Sequence, residues 1–255
     1  MWPADAESLV AVQQQLADAA PEQWRPADAT LLVGGCWVCF PRGLTGRGGA
    51  GDQAWAAAVV MRDGKVLEQK VVTGVTGAAY EPGLLALRMG PLMEQVVGSL
   101  DTRPDVLMLD AGGRDHPRRA GLALHLGAVL DLPTVGITHR PLMAEGEWPA
   151  DRRGATAPVR IGETVVGCWV RTRPGTRPLV VHPGWAVDLD TAVEVVTRSS
   201  TGRRTPEPLR RARHLARRAR AAAAAKGGSL SDSPARTPPA PDGSPCRRIP
   251  DVPRG

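Results

Sequence analysis

Asp110 stands at the end of an apolar run, Val106 to Leu109, and is followed by a turn-forming Ala111-Gly112-Gly113 and then by His116-Pro117-Arg118. A carboxylate at the end of a buried strand is a candidate ligand for a hard cation such as Mg²⁺, which prefers carboxylate oxygen. Metal-assisted chemistry of this kind rarely rests on one carboxylate, so the partners of Asp110 decide what the site can do. A second candidate is the pair Cys36 and Cys39, whose spacing can hold zinc or run redox chemistry. The chain has four cysteines and no second CxxC, and this pair lies in "LLVGGCWVCF", which reads as a strand. Residues three apart on a strand face opposite sides, so two buried or half-buried free thiols are the stronger reading.

Hydrophobic periodicity supplies the elements that must position these groups. Residues 5–19 carry Leu9, Val10, Val12 and Leu16 at the spacing of an amphipathic helix. "ATLLVGGCWVCF" reads as a strand, and "AWAAAVVMRDGKVLEQKVV" as a hairpin around Asp63-Gly64. "PGLLALRMGPLMEQVVGSL" predicts a helix kinked at Pro91. "DVLMLD" predicts a strand, 119–130 a helix, and "LPTVGIT" a short parallel strand. After a loop over 145–160, "ETVVGCWVRTR" and "PLVVHPG" read as a second hairpin. "DLDTAVEVVTRS" is a helix capped by Asp188 or Asp190. A last helix starts from Thr205 and Pro206 and ends at Gly227. Hairpins followed by alternating strands and helices imply an α/β mixed sheet flanked by helices, in one domain over 1–228. Residues 229–255 are rich in Ser, Pro, Asp and Arg, poor in apolar residues, and expected to be a disordered tail.

The 255 residues carry a net charge of +6, unevenly placed. Between Arg203 and Arg220 lie eight arginines and one acid, Glu207, which leaves the rest of the chain near −1. Such a segment suits nucleic acid or another polyanion, and equally a solvated Arg-rich helix. No apolar run approaches the roughly 18 residues that would span a membrane. The N-terminal "MWPADAESLV" lacks the basic and apolar regions of a secretory signal, so a cytoplasmic, monomeric protein is the expectation.

The blocks "YEPGLLALR", "PDVLMLDAGGRDHPRRAGLALHLG", "LPTVGIT", "VHPGWAVDLDTAVEVV" and "TPEPLRRA" follow one another in an order that resembles the endonuclease V family. That family cuts near deoxyinosine in DNA or inosine in RNA. The resemblance runs from about residue 7 to 220 and implies a ribonuclease H-like fold and Mg²⁺-assisted phosphodiester hydrolysis. It implies three metal carboxylates, of which Asp110 matches the third. The other two align with Trp37 and Met89, which are not ligands.

Glu94 is a poor replacement, because five residues past Met89 on a helix it points about 140° away. Glu81 and Asp115 are the nearby acids that could take a lost ligand's place, and Asp52 depends on a Gly-rich loop. Where the family has a catalytic lysine the chain has His139. The family's C-terminal histidine aligns with Arg213, beside His214, so His139 and His214 are the further catalytic candidates.

The resemblance also implies an inosine pocket at Gly83, Leu85, Gly113, His116 and Gly121, and a strand-separating wedge at Tyr80. Glycines let a backbone approach a flipped base, although here they also suit plain turns, as His116 suits a structural role. Phosphate contacts are assigned to Arg211, Arg217 and Arg218. The expected protein binds DNA or RNA, single-stranded or inosine-containing, with impaired cleavage. It would use Mg²⁺ only if active. The alternatives are an active deoxyinosine endonuclease with a substitute acid, or a non-catalytic interaction protein using the emptied metal position.

Overall fold

The computed structural model describes residues 2–27, 30–43 and 48–228, with the backbone alone over 226–228. The expected tail over 229–255, with Cys246, lies outside the described residues. In chain order the elements are α1 (Ala6–Asp18), β1 (Val33–Cys39), β2 (Gln53–Arg62), β3 (Lys65–Val75), α2 (Leu85–Gly98), β4 (Val106–Leu109) and α3 (Leu122–Leu130). Then come β5 (Thr134–Thr138), β6 (Thr156–Ile161), β7 (Thr164–Val170), β8 (Leu179–Pro183), α4 (Leu189–Arg198) and α5 (Glu207–Gly228).

The strands form one eight-stranded mixed sheet in the order β3-β2-β1-β4-β5-β8-β7-β6. Its centre is parallel: β1 pairs with β4 and β4 with β5 in the same direction. The outer pairs are antiparallel. The β2–β3 hairpin turns at Asp63 and Gly64, both with positive φ, as the Asp-Gly signal requires.

Two cores lie on opposite faces of the sheet. On one, Leu107 and Leu109 of β4 join Cys36 and the helices α2 and α3. On the other, Val106 and Met108 join residues of α4 and Leu209 of α5. Leu107, Met108 and Leu109 are fully buried, and each such side chain contributes about 1.5–3 kcal/mol to folding. The alternation separates the two thiols as well: Cys36 packs in the first core, and Cys39 packs against Ala216 of α5. Both are free, and burial pushes the Cys36 thiol up to about 12. Zinc or redox use of the pair is thereby set aside.

Three boundaries differ from expectation. The stretch 145–160 ends in strand β6, paired with β7 through a turn at Gly162. It forms the sheet edge and half of it faces solvent, so Pro158 is tolerated and the apolar alternation is thin. Helix α3 starts at Leu122, because the chain needs positive φ at Arg119 and an extended Gly121 before it turns helical. Helix α5 starts at Glu207, one residue beyond the Pro206 expected at its first position after a Thr205 cap. Asp188, not Asp190, caps α4 by accepting from the Thr191 amide. Helix α2 continues through Pro91, which is exposed, to Gly98.

Candidate active site

The register of β1 and β4 aligns Val33 with Val106 and Cys36 with Leu109. One step further along, Trp37 and Asp110 fall on the same face at the carboxyl ends of neighbouring parallel strands. They line one cavity of about 340 Å³ together with Met89 of α2, Phe40 and Arg88. The three positions thus converge on one spot. Asp110 is partly buried, and burial raises its carboxyl to about 6 against the opposing pull of Arg213. The Arg213 guanidinium lies 5.5 Å from the Trp37 ring centroid.

This donor set does not fit Mg²⁺. It offers one carboxylate, an indole and a thioether, where a hard ion wants several oxygens. Among the described residues, no group of three or more His, Cys, Asp or Glu could hold a metal. Three of the neighbouring acids, Asp52, Glu94 and Asp115, are engaged elsewhere. Asp52 pairs with Arg88 at 2.7 Å, and Arg88 also donates to the carbonyls of Gly49 and Ala78. Glu94 accepts from Trp2 Nε1 at 2.6 Å. The Asp115 carboxylate accepts the amides of Leu142, Met143 and Ala144 at 2.6–2.9 Å, which ties it to a loop. Glu81 is exposed at the rim of the adjoining pocket.

That pocket encloses about 250 Å³ beside Asp110. Gly83, Leu85, His116 and Gly121 line it, whereas Gly113 does not. A Cβ on Gly113 would stand 2.3 Å from the Pro183 carbonyl oxygen, so this glycine serves strand packing, and Gly112 takes its place in the wall. Gly83 has φ of 81°, a conformation that favours glycine. Its carbonyl accepts from Gln13 Nε2 at 3.1 Å and Arg118 Nη2 at 2.8 Å, with His116 Nε2 at 3.1 Å. The Arg118 amide donates to His116 Nδ1, so the imidazole proton sits on Nε2 and points at that carbonyl. Burial lowers His116 to about 4 and keeps it neutral near pH 7. Tyr80 is exposed and borders both cavities.

Sequence reasoning missed Gln13, Thr138, Leu142 and His182 as pocket residues. His182 lies in the "VHPGW" block and could have been found there. Its Nε2 meets Thr138 Oγ1 at 2.9 Å, while Nδ1 is buried without a partner. Of the two further histidine candidates, neither lines either cavity. His139 is exposed and contacts Arg204, and His214 is exposed on α5, next to the inward Arg213. Arg211, Arg217 and Arg218 are exposed on the same helix.

A mixed sheet with a parallel centre, carrying a carboxylate at the strand ends and a pocket beside it, defines an α/β protein of the kind that meets its ligand at the carboxyl ends of the strands. The Endonuclease V family model matches residues 15–214, and the chain belongs to that family. Endonuclease V of Methanopyrus kandleri is 41% identical over 214 residues, covering 83% of this chain and 88% of that protein. The solved Endonuclease V from Streptomyces avermitilis is similar with a TM-score of 0.79 at 35% identity, covering 88% of this chain and 96% of that one. The catalytic domain of human Endonuclease V gives 0.76 at 27% identity, over 88% and 99% of the two chains.

Proposed function

We propose that this chain binds inosine-containing DNA or RNA strands and cleaves them poorly. One observation carries the reading: Trp37, Met89 and Asp110 share a cavity that contains a single carboxylate. A lone carboxylate supplies too little charge to hold Mg²⁺ against its hydration. Support for retained binding comes from the pocket beside Asp110, where Gly83, Gly112 and Gly121 let the backbone come close to an occupant and so suit the edge of a flipped base. Tyr80 at the rim suits a wedge between bases.

The test pairs binding and nicking on one inosine-containing single strand, with Mg²⁺ or Mn²⁺. The native chain should bind and nick weakly. Trp37→Asp combined with Met89→Glu should raise metal-dependent nicking at least tenfold, because two ligands return to a cavity that still holds Asp110. A folded double variant without any metal-dependent gain would overturn ligand loss as the main defect. Exposed Glu81 favours a second reading, an active enzyme using a substitute acid. Efficient nicking by the native chain, abolished by Glu81→Gln, would establish it instead.

A further inference from the structure

The positive charge beside Asp110 does not stop at the cavity. Arg213 stands over Trp37, and the next cation outward is Arg204, whose Nη1 donates to the neutral His139 at Nδ1, 3.1 Å away. Arg204 also donates to the backbone carbonyls of Arg177 at 2.6 Å and Pro178 at 3.1 Å. This fixes where Arg177 leaves the chain. The Arg177 guanidinium in turn lies 5.5 Å from the ring centroid of Trp148. Trp148 is 51% exposed and stands at the outer end of this row of charge. Its loop is fastened from behind: Trp169 meets it edge-on at 6.3 Å and donates Nε1 to the Gly146 carbonyl.

Within this row the cations work against one another. Burial first, then Arg204, Arg213 and Arg177, lowers His139. Burial first, then Arg177 and Arg213, lowers Arg204. Asp110 is the acid at one end of the row. Asp151 is near the other but is paired with Arg171 at 3.2 Å, and Glu147 is exposed beside Trp148. Three arginines gathered with so little counter-charge are an arrangement that an anion relieves. A row of cations ending at an exposed indole has the two elements of single-strand recognition, charge for the backbone and a ring for a base.

We propose that Arg213, Arg204, Arg177 and Trp148 form a metal-independent track for a single-stranded phosphodiester chain, leading away from Asp110 and ending with one base stacked on Trp148. The inference rests on the strand-binding reading above and adds where the strand runs and what holds it. Arg171, buried and paired with Asp151, also lies against this ring, 5.9 Å from its centroid, and holds the indole in place, whereas Arg177 is exposed and anchored only through its backbone, so its guanidinium can turn from the indole to a phosphate and leave ring surface to the base. Arg213 places a fixed charge next to the cavity where the family's metal would stand. The strand is therefore held without a divalent ion.

The experiment titrates the full chain into a fluorescent single strand without inosine, in EDTA and in Mg²⁺, over a range of salt. Native binding should be the same with and without Mg²⁺. Trp148→Ala should weaken it about tenfold, within the range for loss of one stacked base, and Trp148→Phe should restore most of it. Arg177→Ala should weaken it and flatten the log–log salt slope by about 0.7. Melting curves of each variant show whether the fold is intact. Unchanged affinity and slope in folded Trp148→Ala and Arg177→Ala chains overturn the track, whatever the native protein binds. Binding that needs Mg²⁺ overturns it too. The reading of the pocket fails separately: a track that holds ordinary strands as described, with no added affinity for an inosine strand, keeps this inference and removes the inosine preference.

Discussion

Asp115 illustrates how a residue in a chemically suggestive place acquires a different task. Its carboxylate is buried and saturated by three amides from Leu142, Met143 and Ala144. Leu142 is also part of the pocket wall. Asp115→Ala should therefore do two things. It should lower stability by about 2–4 kcal/mol, since hydrogen bonds to a charged group are worth about 1.5–3 kcal/mol each and three donors are left without their acceptor. It should also loosen the wall and reduce discrimination between inosine and adenosine strands. Thermal melting and paired binding titrations check both, and a variant with native melting temperature would show that the amides find other partners. The candidate site was only partly legible at this scale. Asp110, Tyr80 and His116 could be named because they fall in short ordered blocks, and Trp37 and Met89 because they align with the positions of two family carboxylates. The engagement of Asp115 could not, because its donors stand 27 to 29 residues along the chain. Gly113 and Gly112 were indistinguishable in sequence, and only the approach of the Pro183 carbonyl separates them.

At the scale of elements, the position of Arg213 depends on how closely α5 sits on β1. Gly35 permits that approach: a Cβ there would stand 2.3 Å from the backbone of Pro208 at the start of the helix. Because the obstacle is backbone, a side chain rotation cannot relieve it. Gly35→Ala should cost about 1–3 kcal/mol through overpacking. It should also shift α5 outward and move the Arg213 guanidinium away from the Trp37 ring. Denaturant unfolding measures the first effect, and altered indole fluorescence reports the second. Retention of full stability would mean that the helix is seated by other residues. Strong periodicity made most elements readable, including the Asp63-Gly64 hairpin and the parallel centre. Edge strand β6 was not readable, since Pro158 and Arg160 interrupt its alternation and its outer side faces solvent. The sequence puts the beginning of α5 too early because Thr205-Pro206 is a good local start signal, whereas packing of Pro208 against Gly35 sets the seated part of the helix.

For the molecule as a whole, charge couples the fold to its surroundings in two ways. Burial lowers His116 and His125 to about 4, and His182 in the same direction. Their folded forms are neutral, while the unfolded chain takes up protons near pH ~6.5. The stability this contributes is complete above about pH 6.5 and disappears as pH falls towards 4, on the order of 3 kcal/mol for each of His116 and His125, while Asp110, raised to about 6, returns a smaller part over the same window. The melting temperature should fall steadily from about pH 7 to 4.5; a flat profile would contradict neutral burial. The second coupling is the basic helix. Leu209, Ala212 and Ala216 of α5 face the sheet, which leaves Arg217 and Arg218 exposed. Arg211 is exposed too, but it pairs with Glu207 at 2.9 Å, so part of its charge is already compensated. If these arginines meet phosphates of a single strand, removing one of them flattens the salt slope by about 0.7. Replacing Arg217 and Arg218 by Ala should reduce affinity and slope together, equally for inosine and ordinary strands, because phosphate contacts position a strand without reading its bases. Adding Arg211→Ala should bring a smaller further reduction, since its charge is already partly compensated by Glu207, which Arg210 also holds. Titration of the double and triple variants at several salt concentrations separates these steps. Unchanged affinity and slope in the double variant would make this face of α5 a solvated surface, and would leave Arg213, on the inward side of the same helix, as its connection to a nucleic acid.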